Sequence, residues 1–425
     1  MTEEYAVLVG VDLPESKHNA VESLAELQQL AESAGAVVRG TLLQKRAQID
    51  PKYFIGRGKV QELAELVVRE DADVVIFDDD LSPAQLREVE KVCECKVIDR
   101  SELILDIFAG RARTHEERVN VEVEQRLRGM WTHLERIAGA GGGTGVGSVG
   151  GIGTRGPGER QIEIDRRIVN RRVTALKREI ASIDKRKVRQ VRSRHEFFNI
   201  SLVGYTNAGK STLMNTLTGA GVKAEDRLFA TLDTKTRKWN LGGGDEALLS
   251  DTVGFVRRLP HHLVASFRAT LEEAIHADLL LHVVDASSPT AWEQYEAVCG
   301  VLDELGCKGH QAQIVLNKID VAEDPAAVRV LQYKLPGSLP ISAKTGEGLV
   351  PLIASVRERI AGEQTKATVR LPVQDGKAIA YLEKHADVRD RRYMDHSVEM
   401  DVVIGRAILA RLQASFPGSS VQLCA

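Results

Sequence analysis

Ile200-Ser201-Leu202-Val203-Gly204-Tyr205-Thr206-Asn207-Ala208-Gly209-Lys210-Ser211-Thr212 decides the architecture of this chain. Four residues of buried-strand character run into a GxxxxGK(S/T) loop, and a helical stretch, Thr212–Leu217, follows at once. The strand before and the helix after give the motif its chemical meaning. Its glycines let successive backbone N–H groups curl around phosphate oxygens, and the helix N-terminus adds the positive end of its dipole. Lys210 supplies a full charge to the outer phosphates, and the Ser211 hydroxyl is placed to ligate Mg2+. The stretch reads as a phosphate loop on a parallel α/β sheet.

Four further motifs narrow the ligand to a guanine nucleotide. Asp251-Thr252-Val253-Gly254 closes a strand over Ala247–Asp251; its carboxylate can hold Mg2+ through water, and the Gly254 N–H can meet a γ-phosphate. Asn317-Lys318-Ile319-Asp320 ends a strand over Gln313–Leu316, where the Asp320 carboxylate can accept the N1 and N2 donors of guanine. Adenine lacks that donor pair, so a carboxylate buried without partners would reject it. Ser342-Ala343-Lys344 follows one more strand and can close over the base. Phe229-Ala230-Thr231-Leu232-Asp233 lies between the loop helix and Asp251, and its Thr231 is the candidate that reaches Mg2+ and the γ-phosphate only in the triphosphate state. Lys210, Thr231 and Gly254 are thus the catalytic candidates, and Ser211 and Thr231 the metal ligands. The expected reaction is hydrolysis of GTP. Many such enzymes carry a Gln directly after DxxG to orient the attacking water. Here that residue is Phe255, which predicts slow hydrolysis that waits on a partner.

Working outward, 425 residues give about three domains at ~150 residues each. At 43% hydrophobic and 28% charged, the composition is that of an ordinary globular protein. Apolar runs such as Leu279–Val284 are far short of the ~20 residues of a membrane helix. The start, MTEEYAVLVG, carries acids where a secretory signal carries positive charge. The five cysteines lack CxxC spacing, which argues against a zinc site or a disulfide framework. These features point to the cytoplasm. The net charge of −3 conceals an asymmetry: residues 160–194 hold thirteen Lys and Arg against four acids, on an otherwise acidic chain. Such a segment suits a polyanionic partner.

Residues 1–115 alternate strands (Ala6–Val11, Val37–Leu42, Val74–Phe77, Lys96–Ile98) with helices (Val21–Ala31, Lys59–Arg69, Pro83–Val92 capped by Ser82), the pattern of a parallel α/β domain. Residues 116–195 read as a basic helical hairpin, with a mobile loop at 139–158 where eleven of twenty residues are Gly. Residues 196–365 form the Ras-like G domain. The tail, 366–425, reads as a small α+β domain with strands Thr368–Leu371 and Ser397–Ile404 and helices Gly376–His385 and Arg406–Ser415. A partial GxGxxG string at Gly142–Gly147 follows no strand and is a weak sign of a second nucleotide site. Cys93 and Cys95 read as packing residues, and His261 and His262 as exposed loop histidines.

GYTNAGKS at 204–211, FATLD at 229–233 and DTVGF at 251–255 resemble the HflX family of translation GTPases. So do KYFIGRGK at 52–59, DDDLSPAQ at 78–85, IDRSELILDIFAGRARTHE at 98–116 and GGIGTRGPGE at 150–159. The resemblance runs from about residue 3 to 365, with a weaker match in the tail. It implies a GTPase that binds the large ribosomal subunit and its rRNA and splits stalled ribosomes, with the hairpin loop approaching the peptidyl-transferase centre. It also implies that the ribosome stimulates hydrolysis and, through Asn207, that K+ assists. A monomer is the default. Three departures stand out: a shortened helix at Val123–Leu127, an extra run at Ala138–Val149, and Arg160 in place of an uncharged polar residue. A GTP-regulated switch for a protein or membrane partner is the competing class. The chain shows no lipidation signal and no amphipathic membrane helix to support it.

Overall fold

The computed structural model describes residues 4–14, 19–111, 198–219, 228–229, 234–242, 245–257, 274–307, 311–362 and 364–423, with 118–119, 122, 174–175, 178 and 271 singly placed. Apart from those few placed residues, the basic hairpin lies outside the described residues, as do the Gly-rich loop, the extra run and both loop histidines. The chain divides into two compact units. One comprises 1–185 with 227–232 and 259–267; the other holds the remainder.

In the first unit, β1 (Glu4–Asp12), β2 (Ala36–Lys45), β3 (Val74–Phe77) and β4 (Lys96–Asp99) form a parallel sheet in the order β2-β1-β3-β4. Helices α1 (Ala20–Ala34), α2 (Arg57–Glu70), α3 (Pro83–Cys93) and α4 (Arg100–Arg111) alternate with the strands. Val74-Val75-Ile76-Phe77 is buried throughout, as a strand covered on both faces must be. Ser82 caps α3 in a full capping box with Gln85, as its position before the apolar period predicts. Cys93 and Cys95 are held as neutral thiols by burial, pushed up to about 12 and about 11. Arg100 is 2% exposed, and its guanidinium meets Asp78 and Glu26 at 2.7 Å each. Ser23 donates to the same Asp78 at 2.5 Å.

The second unit carries two sheets. The larger has the order β10-β9-β8-β5-β7-β6: β5 (Phe198–Gly204), β7 (Asp245–Asp251), β8 (Leu279–Asp285), β9 (Ala312–Asn317) and the two-residue β10 (Leu339–Pro340) run parallel. The antiparallel edge strand is β6 (Lys235–Gly242). Helix α5 (Lys210–Thr218) follows the phosphate loop; α6 (Ala291–Glu304), α7 (Pro325–Lys334) and α8 (Leu349–Ala361) complete the layers. The smaller sheet, β12-β13-β11-β14, is antiparallel: β11 (Gln364–Pro372), β12 (Asp387–Tyr393), β13 (Ser397–Gly405) and β14 (Ser420–Leu423), with α9 (Gly376–His385) and α10 (Arg406–Ser415). Arg411 of α10 lies 4.7 Å from the Phe198 ring and 3.5 Å from Asp278, which joins the two sheets.

The sequence reading missed β6, β12 and β14. KTRKWNLG buries only Trp239 and Leu241, and DVRDRRY is almost wholly exposed, so neither carries an apolar period. Both are sheet edges, where charge is the usual defence against pairing with another chain.

Arg100→Met should destabilise the first unit by about 3–5 kcal/mol, because Asp78 and Glu26 would lose the guanidinium that offsets their charge. Urea unfolding followed by a probe in that unit measures it.

Candidate nucleotide site

β5 ends in Gly204 at φ 151°, where a Cβ would stand 2.2 Å from the Val283 carbonyl oxygen, so only glycine lets β8 come this close. Asn207 is exposed at φ 60°, and Gly209, at φ 91°, opens α5. A Cβ on Gly209 would lie 2.3 Å from Asn317 Nδ2. The Lys210 ammonium is 7% exposed and donates to the carbonyls of Gly204 (3.1 Å) and Tyr205 (2.7 Å). Burial pushes it down to about 8, with the Asp251 carboxylate working the other way.

Ser211 donates to Asp251 Oδ2 at 2.6 Å. A hydroxyl and a carboxylate in contact are the hard-oxygen pair that Mg2+ takes, so the donor set fits the ion. Of the neighbouring residues, Thr212 stands half-buried at the start of α5, and Val253 is buried. The Thr252 hydroxyl is taken by the Leu202 carbonyl at 2.6 Å. Gly254 packs so closely that a Cβ there would meet Thr206 Cα at 2.7 Å and Lys210 Nζ at 3.0 Å. Thr206 itself is buried.

Phe255 is 2% exposed and bridged to Tyr205: Thr206 N–H donates to its carbonyl at 2.7 Å, and its own N–H donates to Gly204 at 3.2 Å. Its ring is withdrawn into the protein. The Tyr205 hydroxyl accepts from the Arg257 N–H at 2.7 Å, a contact that no sequence motif announces.

Asn317, 2% exposed, donates through Nδ2 to the Ala208 carbonyl (2.8 Å) and accepts from the Ala343 N–H (2.9 Å). Lys318, at φ 65°, pairs with Asp285 at 2.7 Å, a partner the sequence reading did not name. Ile319 donates to the Ile341 carbonyl at 3.3 Å. Asp320 is exposed, so the burial that would make it selective has to come from the base itself. Ser342 is fully buried and accepts from the Thr345 N–H at 3.1 Å; Lys344 is exposed beside it. Leu228 and Phe229 are described, in the first unit. Ala230, Thr231, Leu232 and Asp233 lie outside the described residues.

Four family models match in order: GTP-binding GTPase N-terminal at residues 21–109, GTP-binding GTPase Middle Region at 111–194, 50S ribosome-binding GTPase at 199–318, and HflX C-terminal domain at 332–414. The GTPase HflX of Escherichia coli K12 is 45% identical over 88% of this chain and 87% of its own length. The chain belongs to the HflX family of GTPases. Another HflX, from Magnetococcus marinus, is 42% identical over 98% of this chain and 96% of its own. A GTP-binding protein from Sulfolobus solfataricus, solved with GDP, is 24% identical over 84% of this chain and 98% of that one, with a TM-score of 0.45. As an HflX GTPase, the chain hydrolyses GTP.

Because Lys210 sits near 8 when free, engagement by phosphate should raise its proton affinity. GDP binding at pH 8 should therefore take up about half a proton, an uptake that falls away by pH 7. Calorimetry in buffers of different ionisation enthalpy reads this directly, and no uptake at pH 8 would contradict the buried, lowered lysine.

Proposed function

We propose that this chain is a GTP-driven factor of the large ribosomal subunit that dissociates stalled or stressed ribosomes, with hydrolysis stimulated by the ribosome. The observation that carries the dependence on a partner is Phe255: buried and bridged to Tyr205, it offers no group to hold the attacking water. The match to a 50S ribosome-binding GTPase model over 199–318 and the basic run at 160–194 support the ribosome and its rRNA as that partner.

In this reading Lys210, Gly254 and the amides of Gly204–Thr212 hold the phosphates, and Ser211 and Thr231 hold Mg2+, with Asp251 behind Ser211. Bound Mg2+ would neutralise charge that develops between the β- and γ-phosphates. Asn317, Lys318, Ile319 and Asp320, with Ser342, Ala343 and Lys344, enclose the guanine. Asn207, exposed and left-handed, is the candidate K+ ligand. A factor of the ribosome would act in the cytoplasm, here as a monomer; among the described residues no helix is long and apolar enough to cross a membrane. The chain divides into working parts near residues 115, 195 and 365.

Asp320→Asn should weaken GTP binding and raise relative affinity for xanthosine triphosphate, whose C2 oxygen needs a donor facing it; competition binding measures the switch. Reversing charge at Arg186, Lys187 and Arg189, which lie outside the described residues, should lower affinity for large subunits and flatten its salt dependence, since fewer counterions are released. Co-sedimentation with a non-hydrolysable GTP analogue at several salt concentrations decides it. An unaltered salt slope would leave the run as a solvated surface and move the rRNA contacts elsewhere.

A further inference from the structure

Asp285 closes β8 directly beside Asn317, with which it is in register, at the carboxyl end of the sheet where the base-reading motif begins. No nucleotide motif includes it. Its two carboxylate oxygens are divided between two partners. Oδ1 accepts from the Ser287 N–H at 3.0 Å and from the Ser287 hydroxyl at 2.6 Å. Oδ2 meets the Lys318 ammonium at 2.7 Å. The Ala286 N–H donates to the Asn317 carbonyl at 2.8 Å, so the backbone beside both charged residues is fastened as well.

Both side chains are largely buried, with 15% of Asp285 and 27% of Lys318 exposed. Water and salt screen such a pair less than one on the open surface. Lys318 also adopts φ 65°, a left-handed backbone that a lysine rarely takes unaided. Its carbonyl accepts from the Val321 N–H at 3.2 Å. Side chain and backbone of Lys318 are therefore both held in one place.

Asp320 stands two residues further on and is exposed. To read guanine, its carboxylate has to stay open for the N1 and N2 donors. Cα atoms two residues apart lie within about 7 Å of each other, and a lysine side chain spans most of that distance. The ammonium is a point charge on a flexible four-carbon stem. Released from Asp285, the ammonium of Lys318 would have the Asp320 carboxylate within reach. An ion pair there would occupy the acceptor that reads the base, and guanine would have to displace it. Asp285 removes that competitor.

We propose that Asp285 is a positioning residue for guanine recognition: by holding the Lys318 ammonium it keeps Asp320 open to the base, and so sets the affinity for GTP and GDP alike. Ser287 fixes the carboxylate for this task. The proposal rests on the assignment of Asp320 to guanine.

The test titrates the full chain with Mg2+ against fluorescent GDP and a fluorescent non-hydrolysable GTP analogue. Asp285→Ala should weaken both by the same factor, about three- to tenfold, the cost of re-ordering one long side chain on binding. The single-turnover rate at saturating GTP should not change, because the phosphate contacts are untouched. Lys318→Met keeps the stem and removes the ammonium. Added to Asp285→Ala, it should restore affinity to that of Lys318→Met alone, a recovery that a merely structural role for Asp285 would not give. Asp285→Asn keeps the shape of the side chain but has one oxygen for two sets of donors, and should lose nearly as much as Asp285→Ala. Losses that add in the double variant, losses confined to the triphosphate, or a lowered saturating rate would overturn the proposal. Asp320→Asn separates it from the reading beneath it. If that variant weakens GDP while both Asp285 variants do not, the role of Asp320 stands and that of Asp285 fails. If it leaves GDP unmoved, both fail.

Discussion

The nucleotide site depends on one side chain that touches no motif-defining phosphate group. Asn317 holds the Ala208 carbonyl through Nδ2 and the Ala343 N–H through Oδ1, at 2.8 and 2.9 Å. It joins the phosphate loop, the end of β9 and the loop after β10 into one body. Gly209 has to be glycine partly because Asn317 occupies the space where a Cβ would stand. A buried amide with both ends satisfied is rigid, and leaving either end unpaired would cost about 1–3 kcal/mol. The pocket for the base and the cradle for the phosphates are therefore fixed relative to each other before any ligand arrives. That is the preorganisation that binding and transition-state stabilisation both need.

Two residues of the DxxG segment pack directly against this body. Gly254 packs onto Thr206 and Lys210 with no room for a side chain, so anything that moves Lys210 toward phosphate is felt in the DxxG segment at once. Its next residue, Phe255, is zipped to the phosphate loop by two backbone hydrogen bonds, which makes loop and segment continuous. The chemistry follows from that continuity. On the proposed reading the site binds and polarises phosphate with its own groups, while Phe255 stands at the position where related enzymes keep a glutamine to orient water. On that same reading, a switch built this way holds its triphosphate until a partner completes it.

Much of this was legible in the sequence because the relevant chemistry is local. The phosphate loop, DxxG and NKxD are each set by a few consecutive residues at strand ends, and the structure places the ones it describes there. Helices with clear caps, such as α3 behind Ser82, were equally legible. The polar edge strands β6 and β12 were not, because pairing across an edge fixes their backbone while their side chains face solvent. Contacts distant in sequence were also silent. Nothing in the order of residues announces that Tyr205 receives Arg257, that Lys318 finds Asp285, or that Ser33 and Arg111 meet the backbone of Leu228 and Phe229.

If the large ribosomal subunit supplies the water-orienting group that Phe255 cannot, the free and subunit-bound GTPase differ in the hydrolytic step itself. Single-turnover hydrolysis of saturating GTP, measured with and without purified large subunits, tests it most directly. The isolated rate should be slow and rise by about 10³-fold or more on the subunit, the scale on which a missing catalytic group acts. Fast hydrolysis by the free protein, unchanged when subunits are added, would contradict it.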